Sequence, residues 1–457
     1  MKYFNLIILT LLLATGLQAQ TADEAIQYSN LEIGGTARTI GLAGAYGAVG
    51  ADFGGLSTNP AGLGFYRRSE LIFSPSLQVT KNEASYLNSL SNETGYGFAF
   101  SNIGWVSNLV KAKEGKNNGL VGASMALGIN RLNSYFDQRY VEGTNDQAMD
   151  NFTDNYITSP LGNTTVLHQE ISNVRGGSNE VVLGLGMNYS HKFYLGAQLG
   201  IPYLRYNSQI NYVETDLNNE VIGFDKIDVR EALNTSGVGI NGKFGLIYRH
   251  SALWRAGLAI HTPSLMSLND EYGERIDYTS DNESGQTTET SLDDFENNFT
   301  YLLKTPGKIV ASGAFFPNNK GFISVDYELQ NFSNARYDNA SSDVNVNNQA
   351  FFSQVNQQIS NDYGWGHKIK VGVEYAPDIF RFRAGYAFQS SPLKTSSLGA
   401  PNHILSAGIG VRTRYVMVDL GYATSANQYD YRLFTLGSAA EINKRQNQVV
   451  LSLGFHL

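Results

Sequence analysis

Charged side chains recur where strand alternation would turn them toward one shared interior. They are Lys243, Arg255, Lys308, Asp326, Glu328, Lys370, Glu374, Arg381, Arg383, Arg412 and Asp419. A cation among them could hold a carboxylate through charge-assisted hydrogen bonds. Acids and bases are interleaved, so the more economical reading is a network that bridges strands, and Arg38 could join it. A second group is Asn59-Pro60-Ala61-Gly62. Proline fixes φ and asparagine bonds its own backbone, which makes a stiff turn. Such a turn could seat a packed segment or move as a gate. The histidines, His168, His191, His250, His261, His367, His403 and His456, do not pair at metal-ligand spacing. The sequence has neither a nucleophile elbow nor a phosphate loop. No catalytic residue, metal or cofactor is expected.

The elements that must position these groups are strands. Val449, Leu451, Leu453, Phe455 and Leu457 alternate with Val450, Ser452, Gly454 and His456, and there the chain stops. The same period of two runs through Val181 to Tyr189, Val238 to Tyr248, Ile369 to Tyr375 and Phe380 to Phe388. One face of each is apolar and the other carries glycine, amides or charge, as lipid outside and a lumen inside would require. Fourteen strands are predicted, over 70–80, 95–106, 118–132, 178–190, 193–213, 234–249, 252–268, 299–316, 320–337, 366–376, 379–389, 403–414, 415–431 and 446–457. From the third onward, short links alternate with long polar ones. Asn151 to Ser159 and Asp281 to Glu296 read as solvated external surface. Barrels of the outer membrane have short periplasmic turns and long external loops. The expected fold is therefore all-β, a 14-stranded antiparallel transmembrane β-barrel. An even count returns the C-terminus to the periplasm, beside the N-terminal segment.

Composition agrees. Gly 47, Tyr 27 and Phe 24 accompany only 10 Pro, and the chain holds no Cys, so disulfides are not the staple. Lys2 and the apolar run Phe4 to Leu13 form a secretory signal peptide, with cleavage expected after Ala19. A net charge of −8 argues against a nucleic-acid partner. Residues 20–68 are too long for a tail. Their glycines and alanines permit close backbone approach, while Ile40, Leu42, Tyr46, Phe53 and Leu63 need burial. Such a piece could sit inside the ring as a plug (hatch). The predicted organisation is thus 1–19 signal peptide, 20–68 plug and 69–457 barrel.

Gly35-Thr36-Ala37-Arg38, Gly41-Leu42-Ala43-Gly44-Ala45, Asp52 and Asn59-Pro60-Ala61-Gly62-Leu63 resemble the N-terminal hatch of the FadL/TodX outer-membrane transporters. Thr305-Pro306-Gly307-Lys308 and Ser324-Val325-Asp326-Tyr327-Glu328 also look like family segments. The resemblance covers essentially the mature chain. It implies uptake of hydrophobic small molecules, such as long-chain fatty acids or aromatic hydrocarbons. It implies binding at external loops, passage to a site inside the barrel, and release by hatch movement or through a lateral opening. On that likeness Asn59, Pro60, Ala61 and Gly62 are the candidate gate. Arg38, Lys243, Arg255, Lys308, Arg381, Arg383 and Arg412 are the candidate lumen network or carboxylate anchors. The third strand, with Gly122 and Gly128, is where the family would place the opening, although barrel curvature accounts for those glycines equally well. Expected surroundings are outer-membrane lipid and lipopolysaccharide, around a monomer. Two further classes stand beside transport: a non-transporting barrel that binds a protein partner or serves secretion, and an outer-membrane lipase, for which no Ser/His arrangement is found.

Overall fold

The computed structural model describes residues 20–110, 118–145, 165–218, 224–280, 288–292, 297–318, 320–340, 346–395, 400–434 and 437–457. The expected signal peptide, Asn151 to Ser159 and most of Asp281 to Glu296 lie outside the described residues.

Fourteen antiparallel staves close a ring. The first three are β1 (Glu70–Tyr86), β2 (Ser89–Val110) and β3 (Leu120–Ser134), the last continued by β4 (Asp137–Asn145). Next come β5 (Val166–Tyr189), β6 (Phe193–Asp216) and β7 (Lys226–Arg249). The seventh stave is β8 (Trp254–His261) continued by β9 (Leu265–Ser280), which also pairs with a short extra strand, β10 (Thr288–Leu292). The eighth is β11 (Asn297–Lys304) with β12 (Lys308–Asn318), and the ninth is β13 (Gly321–Asn331) with β14 (Arg336–Asn339). β15 (Trp365–Tyr375), β16 (Phe380–Gln389), β17 (Asn402–Arg412), β18 (Val416–Arg432) and β19 (Ala439–His456) complete the wall. Closure occurs at β1, whose Glu70 pairs with Val106 of β2 and with His456 of β19.

Alternation decides which side of the wall each residue faces. On β19, Val449, Leu451 and Phe455 are exposed on the outer face, while Val450 and Ser452 are buried toward the lumen. Ring closure pairs the wall N–H and C=O groups along the apolar band, which is what a lipid environment demands.

Each predicted span coincides with one stave, but several staves run on further. β5, β6 and β7 each have 24 residues, whereas about 9–11 tilted residues cross the apolar layer. The surplus is a polar ladder rising at the long-link end. Polar ladder and polar loop look alike in sequence, so the expected start of β5 at 178 falls short. Likewise the expected link 81–94 is a hairpin. Tyr86 pairs with Ser89 across Leu87-Asn88, which take φ of 43° and 64°.

Residues 20–68 run through the inside of the ring from end to end. The helix Ala22–Ser29 begins with a Thr21–Glu24 capping box. It buries Ala22, Ala25 and Ile26 among Tyr301, Tyr337 and the helix Val346–Asp362, all at the long-link end. Arg68 donates to the Arg414 carbonyl at the short-link end, at 3.0 Å. The expected neighbourhood of both termini in the periplasm is therefore corrected. Leu457 lies at the short-link end, bonded to the Ser69 carbonyl at 2.9 Å, and residue 20 lies at the opposite one. Strand count constrains only the C-terminus. The N-terminal segment is long enough to cross the lumen, and its helix finds its apolar partners at the far side.

Candidate functional site

Asn59 opens a 3-10 turn, Pro60–Phe65, with proline in its first position. Its Oδ1 accepts the Ala61 N–H at 3.0 Å, which ties the turn to itself. Its Nδ2 donates to the Gly47 carbonyl at 2.8 Å and to Leu246 O in the wall at 3.4 Å. The wall beneath has been cleared of side chains. Gly196 of β6 pairs with Gly245 of β7. A Cβ on Gly196 would overlap the Pro60 carbonyl, and one on Gly245 would overlap Asn59 Oδ1. On β8, a Cβ on Gly257 would stand 2.8 Å from the Gly47 carbonyl. A second notch lies three staves away. Gly104 and Gly128 pair between β2 and β3 and receive the Phe53 ring. Gly128 thus seats the N-terminal segment; Gly122 adjoins a register shift between β3 and β5.

The charges divide into clusters. Arg38 grips Glu374 with two hydrogen bonds, 2.9 and 2.8 Å. Glu374 also accepts from Arg383 at 2.7 Å, and Arg383 reaches Asp419 at 2.6 Å. Two cations and two anions thus alternate across β15, β16 and β18 and bind the N-terminal segment to the wall. Asp326 accepts the Tyr46 and Gly47 N–H groups at 2.8 and 2.9 Å. Within the segment, Asp52 accepts the Thr36 hydroxyl, the Thr39 hydroxyl and the Gly54 N–H. Burial pushes the Asp52 carboxyl above its ordinary range, and Arg38 pulls it back. Arg255 lies between the Phe65 and Phe316 rings, 4.4 and 4.1 Å from their centroids, and donates to the Val49 carbonyl. Two residues sit apart: Arg381 bonds the Asp378 and Phe380 carbonyls at its own turn, and Arg412 donates to Met417 Sδ.

A further cluster holds more cations than anions. Lys243 pairs with Glu180, while Lys308 and Lys370 share Glu328. Lys368 donates to the Leu31 carbonyl at 2.9 Å. Four lysines therefore face three glutamates, Glu180, Glu328 and Glu32, around a small cavity of about 40 Å³ lined by Lys308, Lys368, Lys370 and Glu32. Lys368 shares the parity of Lys370, and the alternation of Ile369 to Tyr375 places both on the lumen side.

At the long-link end, burial pushes the partly buried Glu24 carboxyl up to about 8, against the pull of the Thr21 N–H and hydroxyl, with Asp270 and Asp23 adding to the rise. A raised carboxyl favours the packed state while it is protonated. That contribution is complete below the ordinary value of 4.5 and is lost as pH rises through about 8. Amide protection factors in residues 22–29 should therefore fall by up to about a hundredfold between pH 6 and 9. In Glu24→Gln they should stay level. Equal profiles for both proteins would contradict this.

The wall is interrupted between β2 and β3. Their ladder runs up to Asn102↔Asn130. Above it, β2 pairs with β1 alone, and Arg131 to Ser134 pair with β5. The third stave then bends inward. Asn82 Nδ2 donates to Asp137 Oδ1 at 2.9 Å and to the Gln138 carbonyl, and the Phe136 ring fills the space over Gly95 and Gly97. A lumen cavity of about 570 Å³ lies beside Gln27 and Asn30 to Ile33 of the N-terminal segment. A second, of about 470 Å³, passes through the break. It is lined by Ser76, Gln78 and Gln448 on the lumen side and by Tyr96, Phe98 and Arg205 on the outer side. The two share Ser134 and Gln448. The place of this break was not legible in the sequence, because no residue type marks the loss of a partner strand.

Among the described residues no His/Cys/Asp/Glu group could hold a metal ion. The fold is shared with solved outer-membrane barrels. A FadL homologue from Pseudomonas aeruginosa superposes with a TM-score of 0.57 at 12% identity, over 93% of this chain and 98% of that one. The toluene transporter TodX of Pseudomonas putida gives 0.56 at 12% identity, over 94% and 99%. The toluene transporter TbuX of Ralstonia pickettii gives 0.53 at 14% identity, over 91% and 98%. No curated protein matches the sequence. Residues 13–430 match the family described as outer membrane protein transport protein (OMPP1/FadL/TodX), and the chain belongs to that family of outer-membrane β-barrels.

Proposed function

We propose that this barrel carries hydrophobic small molecules across the outer membrane, with residues 20–68 as its hatch and the break between β2 and β3 as its side exit. Residues 1–19 are removed on export, and 69–457 form the barrel proper. The observation that carries this reading is the pair of adjoining cavities. The straight path down the lumen is filled by the Asn59–Phe65 turn and its neighbours, whereas the lumen cavity adjoins one that crosses the wall. An apolar solute gains about 0.8 kcal/mol per methylene on leaving water. It therefore favours an exit toward lipid over a second aqueous compartment.

TodX and TbuX are toluene transporters, which supports aromatic hydrocarbons as one substrate class. The lysine excess around Lys308 and Lys368 supports another, long-chain fatty acids, whose carboxylate it would balance. Asn59 and Pro60 hold the hatch turn and form the gate.

Uptake of labelled toluene and oleate by cells with and without the gene tests the reading. Deletion should lower the uptake of one class, and the wild-type gene should restore it. Asn59→Ala combined with Pro60→Ala should change uptake by several-fold while heat-resistant folding persists. Unchanged uptake of both classes on deletion, with stable co-purification of one protein, would turn the reading toward a partner-binding barrel.

A further inference from the structure

The outer mouth of the wall break is strongly basic. On β6 the outward face runs Phe193, Leu195, Leu199, Ile201, Tyr203, Arg205, so the arginine follows directly on the apolar band at the long-link end. Arg175 of β5 shares that face, and Arg131 of β3 has the parity of exposed Leu127 and Ile129. The three converge at Gly177. Arg205 is its ladder partner, Arg175 lies two residues away, and the Arg131 guanidinium occupies the space a Gly177 side chain would take. Arg131 Nη2 donates to the Gly176 carbonyl at 2.9 Å and to Ser134 Oγ at 3.2 Å, which holds it there. No acidic side chain lines this cavity, and among the described residues none of the three arginines forms an ion pair. Glu32, on the lumen side, attracts Arg131 across a small cavity that both line, and it is bonded to the Ser134 N–H and to Gln446, which leaves Arg175 and Arg205 for an outside anion. Arg175 and Arg205 thus present guanidinium charge at the mouth with no carboxylate of this chain beside them in the cavity, which favours an anion from outside.

The neighbouring surface specifies what kind of anion. Beside the arginines lie the exposed rings of Tyr96 and Phe98, 68% and 69% accessible, on the same cavity. The ligand must bring negative charge at the level where lipid headgroups begin, and apolar chains beneath it. We propose that this mouth binds the phosphate headgroup of an outer-membrane lipid, whose acyl chains lie along Tyr96 and Phe98 and cover the break from outside. Guanidinium matches phosphate with paired, charge-assisted hydrogen bonds. A resident lipid would stopper the exit without any strand having to move.

The test uses the full folded barrel in a neutral detergent, titrated with diphosphoryl lipid A and followed by native mass spectrometry. One lipid should remain bound per barrel. Arg175→Ala with Arg205→Ala should weaken binding by about tenfold or more. Arg175→Lys with Arg205→Lys, which keeps the charge, should fall between the two. Lys320→Ala, at the opposite end of the wall, should bind as wild type. Equal retention by all four proteins would overturn the proposal. So would a site that retains oleate and no phosphate lipid, since the arginines would then serve a passing carboxylate. Lipid binding is read without transport, so loss of either result leaves the other standing.

Discussion

Valine at Gly196 and Gly245 is expected to open the barrel to water. The two glycines are ladder partners on β6 and β7, directly beneath the Asn59-Pro60-Ala61 turn. On Gly196 the obstructing atoms belong to the Pro60 and Ala61 backbone. Backbone cannot swing aside as a side chain would. On Gly245 the obstacle is Asn59 Oδ1, the atom that holds the Ala61 N–H. Overpacking of this kind costs about 1–3 kcal/mol per site, which shifts a seated-to-unseated ratio by about 5- to 150-fold. The outward faces of β6 and β7 are untouched, so the ring should still assemble and resist heat in detergent. Liposomes carrying the double variant should swell in small sugars far faster than those carrying wild type. A fully folded variant that stays impermeable would show that the turn is not what blocks the lumen.

Closing the wall should have the opposite effect. The protein has no cysteine, so a pair introduced across the break can form only one disulfide. Gly97 of β2 and Phe136, at the bend after β3, suit it. A Cβ on Gly97 would stand 2.9 Å from Phe136 Cγ, which puts the two Cβ atoms within about 4.4 Å, inside the reach of a disulfide. Gly97→Cys with Phe136→Cys, once oxidised, would staple the inward-bent stave to β2 and prevent the break from widening. Uptake of a hydrophobic substrate should then fall by about tenfold or more, if widening of the break sets the rate, and recover on reduction. Each single variant should behave alike with and without reductant. Undiminished uptake by a fully cross-linked population would place the exit elsewhere.

The two variants use features of different legibility. The notches were half visible. Gly245 and Gly186 stood on the lumen side of alternating strands, and the lumen parity of Gly196 follows in the same way. Their partner in the N-terminal segment was visible only as a cluster of small residues around a stiff turn. That Asn59 sits over Gly245, and Phe53 over Gly104 and Gly128, depends on how residues 20–68 coil, and no local pattern encodes that. The family resemblance pointed to the third strand for an opening, but no local pattern marked where along it the wall breaks. Gly122 and Gly128 lie on the right stave but below the break, since the ladder is lost above Asn130 and the bend follows Tyr135-Phe136.

The charges show the same division. Parity alone placed Glu374, Arg383, Asp419, Asp326 and Glu328 inward, and they are buried there. Which acid meets which base followed from stave neighbours and from the hatch, and so Arg38 found Glu374, 336 residues away in sequence. The same dependence left Lys308 and Lys370 with one shared glutamate, and left Arg175 and Arg205 without one.

The sequence by itself determined the strands, their number and which face of each meets lipid. These follow from a period of two and from link length, and both are local. Tertiary structure decided the course of the N-terminal segment, the position of the break and the pairing of charges. All three arise from contacts between residues tens to hundreds of positions apart, brought together only when the ring closes.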